Sequence, residues 1–363
     1  MTNVIVGLTC ELVPWSWDDG RPELWVEIPP KDGSQWLRTK NRSSEEADMS
    51  PTASAAGSGE VLADEGLINW RSRGRFFEFS GHEVFYIDEG SVLDGRSAPA
   101  LLLIHGYPFS SWDWASIWSH LTKHFRVIAP DMLGMGFSAK PVHYRYSVAA
   151  HADMHVALLR ELGIGTCHII AHDIGVSVAQ ELLARAIEDE EAPKLASITF
   201  LNGGLFHEVY RPRLVQRLLS DTVAGSVVGR FPFLMPDRLV DIALAEMFGP
   251  ETKPSRRLLS QWHEILAYNH GKRVTHLVGR FLHDRRIGRD RWVAAMQDTA
   301  VPLRFIDGPR DPNSGAHMAV RYRELIPNPD VVMLGDNIGH WPQIEDPAGV
   351  VRHFDEFVDH IRR

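Results

Sequence analysis

The segment Ala171-His172-Asp173-Ile174-Gly175 joins a short apolar run, Cys167-His168-Ile169-Ile170, to a helical pattern from Val176 to Ala186. A residue at the apex of a sharp strand-to-helix turn is held in a strained backbone, and its neighbours two positions away must be small. Ala171 and Gly175 meet that demand and leave Asp173 at the apex. A serine in that place would have to lose a proton before attacking a carbonyl carbon. Carboxylates are ionised near neutral pH, so an aspartate can displace a leaving group from saturated carbon and form an alkyl ester. A histidine is then needed only for the second step, activating the water that hydrolyses the ester. The chemistry indicated is attack on alkyl electrophiles such as epoxides and haloalkanes. Aspartate is also a good helix N-cap, and the five residues alone leave the two roles even.

Other loops supply the partners such chemistry needs. His105-Gly106-Tyr107-Pro108 follows the apolar run Leu101 to Ile104, and the backbone N–H groups of Tyr107 and Ile174 are the expected oxyanion donors. Asp311 lies in Gly308-Pro309-Arg310-Asp311-Pro312, after the run Leu303 to Ile306. His340 lies in Gly339-His340-Trp341-Pro342, after the run Val331 to Leu334. In open parallel sheets, ligands bind at the carboxyl ends of the strands, and all these loops fall there. With 18 histidines in the chain, His340 is distinguished by position and not by type. Asp311-Pro312 could equally open a turn. The order nucleophile, acid, histidine favours a triad of Asp173, Asp311 and His340. Gly134-Met135-Gly136 lacks the third glycine and the following helix of a phosphate loop, and is assigned to structure.

The elements that must position these loops follow from the hydrophobic pattern. Phe76 to Phe79 and Glu83 to Ile87 alternate about Ser80-Gly81, as an antiparallel hairpin does. Helical spacing from Trp112 to Phe125 and from Val148 to Leu162 alternates with strands at Val127 to Ala129 and Ser197 to Leu201. Helices at Ala316 to Leu325 and Gly349 to Ile361 complete a series that predicts a mostly parallel sheet covered on both sides. Between Leu205 and Gln297 the texture is helical, and a structureless loop of that length is not expected in a compact domain. It is expected to be an inserted helical cap, residues 205–297, on a core of residues 61–204 and 298–363. Residues 1–60 are expected to be an extension, with a flexible Ser/Ala/Gly-rich linker from Ser43 to Glu60. Ahead of it, Trp15, Trp17, Trp25 and Trp36 flank an Asp19-Gly20 turn signal that suggests a small hairpin.

The net charge of −9 over 363 residues argues against nucleic acid or an anionic membrane as partner. The Arg-rich clusters Arg71 to Arg75 and His283 to Arg291 read as solvated faces. Two cysteines, Cys10 and Cys167, make no disulfide framework. No metal or cofactor motif is evident. No signal peptide or membrane span is read from the sequence, so a cytoplasmic protein acting on a small apolar organic substrate is expected, with a homo-oligomer open.

The signatures His105-Gly106-Tyr107-Pro108, Asp131-Met132-Leu133-Gly134-Met135-Gly136-Phe137-Ser138, His172-Asp173-Ile174-Gly175 and Gly339-His340-Trp341-Pro342 resemble the α/β-hydrolase superfamily. The resemblance is to its epoxide hydrolase and haloalkane dehalogenase branch, which uses an Asp nucleophile. Leu201-Asn202-Gly203-Gly204, Arg291-Trp292 and Gln343-Ile344-Glu345-Asp346-Pro347 narrow it to the mesoderm-specific transcript protein group. It covers about Phe76 to Ile361. The resemblance implies an α/β-hydrolase fold and an epoxide hydrolase whose leaving oxygen is protonated by cap tyrosines. Tyr268 is the better match and Tyr210, near the cap entrance, the poorer. Trp112, Tyr268 and Trp341, with Tyr107 and Ile174, are the expected pocket lining. Many dehalogenases carry Trp after the nucleophile, and the fluoroacetate type carries Arg; here the residue is Ile174, which disfavours dehalogenation. A haloalkane dehalogenase or other ester-type hydrolase, or a hydrolase-fold protein that binds a ligand without turnover, are the alternatives.

Overall fold

Leu101, Leu102, Leu103 and Ile104 are fully buried, the pattern of a strand covered on both faces. They form most of β7 (Ala100–Ile104), which pairs in parallel with β8 (Arg126–Pro130) on one side and β9 (Thr166–His172) on the other. Beyond β9 come β10 (Lys194–Leu201), β11 (Leu303–Asp307) and β12 (Val331–Met333), all parallel. Beyond β8 the sheet turns antiparallel through β4 (His82–Glu89) and β3 (Arg75–Phe79). The eight strands run in the order β12-β11-β10-β9-β7-β8-β4-β3, and the short β5 (Val92–Leu93) and β6 (Arg96–Ser97) pair antiparallel in a sheet of their own. The β3–β4 turn places Ser80 and Gly81 at φ 52° and 75°, the double positive φ that suits the twist of a tight hairpin.

The computed structural model of the chain describes residues 62–213 except 91, 94 and 95, residues 236–362, a helical position at Val227, and two short N-terminal strands. Contacts divide the chain into Met1–Ala56 and Gly57–Arg363. In the first unit β1 (Trp25–Ile28) pairs antiparallel with β2 (Leu37–Lys40), while the Asp19-Gly20 turn signal lies outside the described residues. The stretch Ser43 to Glu60 expected as a linker lies outside the described residues.

In the second unit, α1 (Glu65–Arg73) precedes the sheet, capped by the Asp64 carboxylate on the N–H groups of Gly66 and Leu67. Hydrophobic periodicity assigns no element to this stretch; two buried side chains, Leu67 and Trp70, fix it on the core. The helix expected from Trp112 is a tight 3-10 turn, Ser111–Trp114, followed by α2 (Ala115–Leu121). The other core helices are α3 (Val148–Glu161) and α4 (Ile174–Glu188). Between β10 and β11 the chain inserts α5 (Asp237–Ala245), α6 (Arg256–Ala267), α7 (Thr275–Val278) and the long α8 (Phe281–Asp298). The last helices are α9 (Ala316–Leu325), α10 (Pro342–Glu345) and α11 (Pro347–Ile361). One apolar cluster joins α3, α4, α8 and α9 to the sheet, and the other joins α1, α2, α6 and α11 to it. The sheet is therefore the middle of three layers. Among the described residues no helix is long and apolar enough to cross a membrane, and no three His, Cys, Asp or Glu side chains cluster to hold a metal ion.

Candidate active site

Asp173 occupies the step between β9 and α4 with φ 49° and ψ −109°, a region an L-residue adopts only when its surroundings enforce it. The enforcement is visible at Gly175, where a Cβ would lie 2.3 Å from the Ile104 carbonyl oxygen. A larger residue would push the turn off β7. The Asp173 N–H donates to the Asn202 carbonyl at 2.9 Å, tying the turn to the end of β10. Its carboxylate is 1% exposed, and Oδ2 accepts the Tyr107 N–H at 3.1 Å. The Tyr107 N–H is thus directed at the Asp173 carboxylate. Ile174 is fully buried as the first residue of α4.

His340 and Asp311 come from the loops after β12 and β11. His340 Nδ1 donates to Asp311 Oδ2 at 2.8 Å, and both residues are buried. Burial alone would raise the Asp311 pKa, but His340, Ser314 and the Asn313 N–H hold it well below the usual carboxylate range. Burial would lower that of His340, yet Asp311, Asp173 and Glu345 together raise it. The charge of Asp173 is thus felt at His340. Asn202 fastens the acid loop: its Nδ2 donates to Asp307 Oδ1 and the Gly308 carbonyl, both at 3.0 Å, and to Asp311 Oδ2 at 3.2 Å. His172 Nε2 donates to the His340 carbonyl at 2.7 Å and steadies the histidine loop. Glu345 binds the loop from behind, accepting from the N–H groups of Gly339 and Trp341, and also from the Gly249 N–H and Thr252 hydroxyl of the insertion. The His340 N–H itself donates to the Met247 carbonyl.

The expected lining residues divide. Trp341 sits edge-on to His340, with ring centroids 4.7 Å apart. Trp112 lies instead between Trp70 and α6, its indole N–H donating to Gln261 Oε1 at 3.2 Å. Tyr268 is a correction. It ends α6, and Asn269 and His270 after it take φ of 49° and 59°, turning the chain sharply. Its ring packs edge-on to Phe137, and its hydroxyl accepts from the exposed Arg71 at 3.0 Å. The phenols within the field of Asp173 are Tyr107 and Tyr210. Tyr107 donates its hydroxyl to the Thr275 carbonyl at 3.1 Å. Tyr210 is buried, and burial, with Asp173 and Asp311 adding, pushes its pKa up to about 12. A crevice lined by Tyr107, Pro108, Gly136, Lys140, Leu266 and Thr275 separates the loop after β7 from the insertion, and is too narrow for water.

The sequence reading missed Arg285. It belongs to the cluster read as a solvated face, yet it is 1% exposed. Its Nη2 donates to the Asp173 carbonyl at 2.8 Å and lies 3.3 Å from Asp173 Oδ1, while Nε donates to Ser177 Oγ at 2.9 Å. The signal was its register: Phe281, Arg285, Trp292 and Met296 are buried together on one face of α8. A second buried acid, Asp113, accepts the Trp262 indole N–H at 2.9 Å; burial, with Asp131 adding, raises its pKa to about 7.

A carboxylate on a strained turn, a backbone donor on one of its oxygens and a carboxylate-held histidine make an arrangement suited to hydrolysis through an enzyme ester. A profile of the alpha/beta hydrolase fold matches residues 99–347. The chain belongs to that family. It is 38% identical over 298 residues to the mesoderm-specific transcript homolog protein of Bos taurus, covering 81% of this chain and 88% of that one. It is 34% identical over 291 residues to the putative hydrolase LipZ of Mycobacterium tuberculosis, covering 79% of this chain and 96% of that one. Among solved structures, a haloalkane dehalogenase loop variant from Bradyrhizobium elkanii aligns with a TM-score of 0.65 at 20% identity, covering 80% of this chain and 97% of that one. The epoxide hydrolase CorEH aligns with a TM-score of 0.62 at 19% identity, covering 79% and 99%. These last likenesses are of fold.

Proposed function

We propose that this α/β hydrolase works through a covalent alkyl ester on Asp173 and that its electrophiles are epoxides. The observation that carries the reading is the meeting of Asp173, at the strained turn, with an Asp311-held His340 whose pKa Asp173 itself raises. In the first step Asp173 Oδ1 forms a bond to an epoxide carbon while the ring C–O bond breaks. The electron pair goes to the ring oxygen, which takes a proton from Tyr210. The ester carbonyl oxygen is then Oδ2, already facing the Tyr107 N–H. In the second step His340 takes a proton from water, the hydroxide adds to the ester carbonyl, and the diol leaves. Hydrolysis to a carboxylate releases one proton, which restores the phenol. Alkylation also removes the negative charge of Asp173 from beside His340. The imidazole then loses one cause of its raised pKa and becomes a readier base when a base is needed.

Halide release is less well served. The indole N–H groups of Trp112 and Trp262 are engaged by Gln261 and Asp113, and that of Trp341 also serves Asp113. We read residues 205–297 as a cap that supplies Tyr210 and Arg285 to the site. The pairing of Asp173 with Arg285 favours a second reading, ligand binding without turnover, because a cation on the nucleophile dampens its attack. One experiment separates the two. His340→Gln should accumulate one substrate mass on Asp173 by intact-mass analysis, with turnover lowered about 10²–10⁴-fold. Full turnover by Asp173→Ala sinks the mechanism, and no adduct with any epoxide in a broad panel points to binding alone.

A further inference from the structure

Arg285 is more than a neighbour of the nucleophile. Its guanidinium is sealed from solvent, and of its nitrogens Nε holds Ser177 and Nη2 holds Asp173, while Nη1 has no partner. Buried donors are rarely left unmet in native proteins, and a ligand is one physical reason for an exception. A Cβ on Gly204 would fall 2.6 Å from the Arg285 Cζ, so the guanidinium fills the space that a side chain there would take. The rings of Tyr210 and Phe281 flank it, with centroids 4.7 and 4.6 Å from Cζ. These contacts fix the plane of the fork, whose Nη2 lies 3.3 Å from Asp173 Oδ1 and whose other terminal nitrogen, Nη1, is the one left to a ligand.

We infer that Arg285 recognises a carboxylate on the substrate, one carbon removed from the atom Asp173 attacks, so that the substrate class is epoxy acids. The inference rests on Asp173 being the nucleophile and amends the expectation of an apolar substrate. Charge explains it. Before reaction, the Arg285 cation is balanced by Asp173; esterification makes Asp173 neutral and strips that balance from a buried guanidinium. A substrate carboxylate on Nη1 supplies the counter-charge through the covalent stage. Before that stage, the cation offsets the repulsion between an anionic substrate and an anionic nucleophile. Guanidinium is the side chain whose flat fork suits a carboxylate best. The covalent step is unchanged: the Oδ1–carbon bond forms, the ring C–O bond breaks, and Tyr210 protonates the ring oxygen. The carboxylate takes no part in bond making.

The test uses oxirane-2-carboxylate and its neutral near-isostere oxirane-2-carboxamide on full-length His340→Gln protein, timing the gain of mass on Asp173. The acid should alkylate at least about tenfold faster than the amide. Adding Arg285→Gln should bring the ratio to about one, and Arg285→Lys, which keeps the charge but not the fork, should retain part of it. Equal rates for the two probes, or a preference that survives Arg285→Gln, overturns the recognition and leaves the nucleophile standing. No mass gain with either probe overturns the nucleophile instead. A second measurement needs no variant. Cyclopropanecarboxylate, which cannot react, should raise the thermal midpoint of the unaltered protein where cyclopropanecarboxamide does not. Equal shifts with both, or none with either, count against Arg285.

Discussion

A phenol that protonates a leaving oxygen has to lie near the nucleophile; the charge of Asp173 acts on Tyr210, whereas the Tyr268 hydroxyl is held by exposed Arg71. Tyr210→Phe should therefore slow formation of the Asp173 adduct in the His340→Gln background by about 10²-fold, read as the rate of mass gain. Tyr268→Phe removes a hydroxyl that only meets exposed Arg71, and a change of more than about twofold in that rate would refute its exclusion. At this scale the sequence was legible where turns punctuate it. Asp173, Asp311 and His340 stand beside glycines or prolines that mark the ends of apolar runs. Tyr268 misled because its ring packs on Phe137 and its hydroxyl meets Arg71, a placement that spacing does not reveal. Arg285 was hidden by company: a charged stretch reads as a solvated face unless its helical register with Phe281 and Trp292 is followed.

Elements hold these residues by close backbone approach. Gly175 lets α4 start against β7, and the atom a Cβ would meet is a main-chain oxygen that cannot rotate away. Gly175→Ala should cost about 1–3 kcal/mol and lower the thermal midpoint by several degrees. Gly165→Ala, where a Cβ meets nothing within 4 Å, is the matched control and should leave the midpoint near that of the parent. The parallel strands and the β3–β4 hairpin were legible because strands covered on both faces carry unbroken apolar runs and hairpins alternate. The helix α1 was not, since two buried positions in nine residues give no periodic signal, and tertiary packing of Trp70 against Trp112 and Trp118 makes it. The early 3-10 turn has a local cause, the Ser110 hydroxyl accepting the Trp112 N–H.

Across the whole molecule, burial leaves imidazoles that resist protonation. The pKa is lowered to about 4 at His105, His155 and His168 and to about 3 at His151 and His172, burial being the main cause at each. In the unfolded chain these groups protonate near the ordinary imidazole value of 6.5. As pH falls from about 6.5 to about 4 the unfolded state therefore binds more protons, and stability falls. Burial acts oppositely on Asp113, Asp131 and Asp307, whose pKa values are raised; the folded state binds their protons first, which adds stability on acidification. His276 and His317 are lowered too and Asp284 is raised, so among the described residues seven imidazoles outnumber four carboxyls and the net slope follows the histidines. His340, with its pKa raised, is already protonated in both states below about 6.5 and is flat in this window. The thermal midpoint should be lower at pH 4.5 than at pH 6.5, with a slope of up to about 1.4 kcal/mol per pH unit for each net proton. A midpoint that rises on acidification over that range would show that the carboxyls dominate.

Glu345 joins Gly249 and Thr252 of the insertion to the Gly339–Trp341 loop, and the His340 N–H is held by Met247. The insertion and the histidine loop are thus one piece of hardware. Exchanging this insertion for that of a relative, as a way to borrow a new specificity, would detach His340 from its mounting unless residues 337–345 travelled with it. A lineage that diversifies by this route must inherit both segments together, so its substrate range and its hydrolytic step are bound to drift in concert.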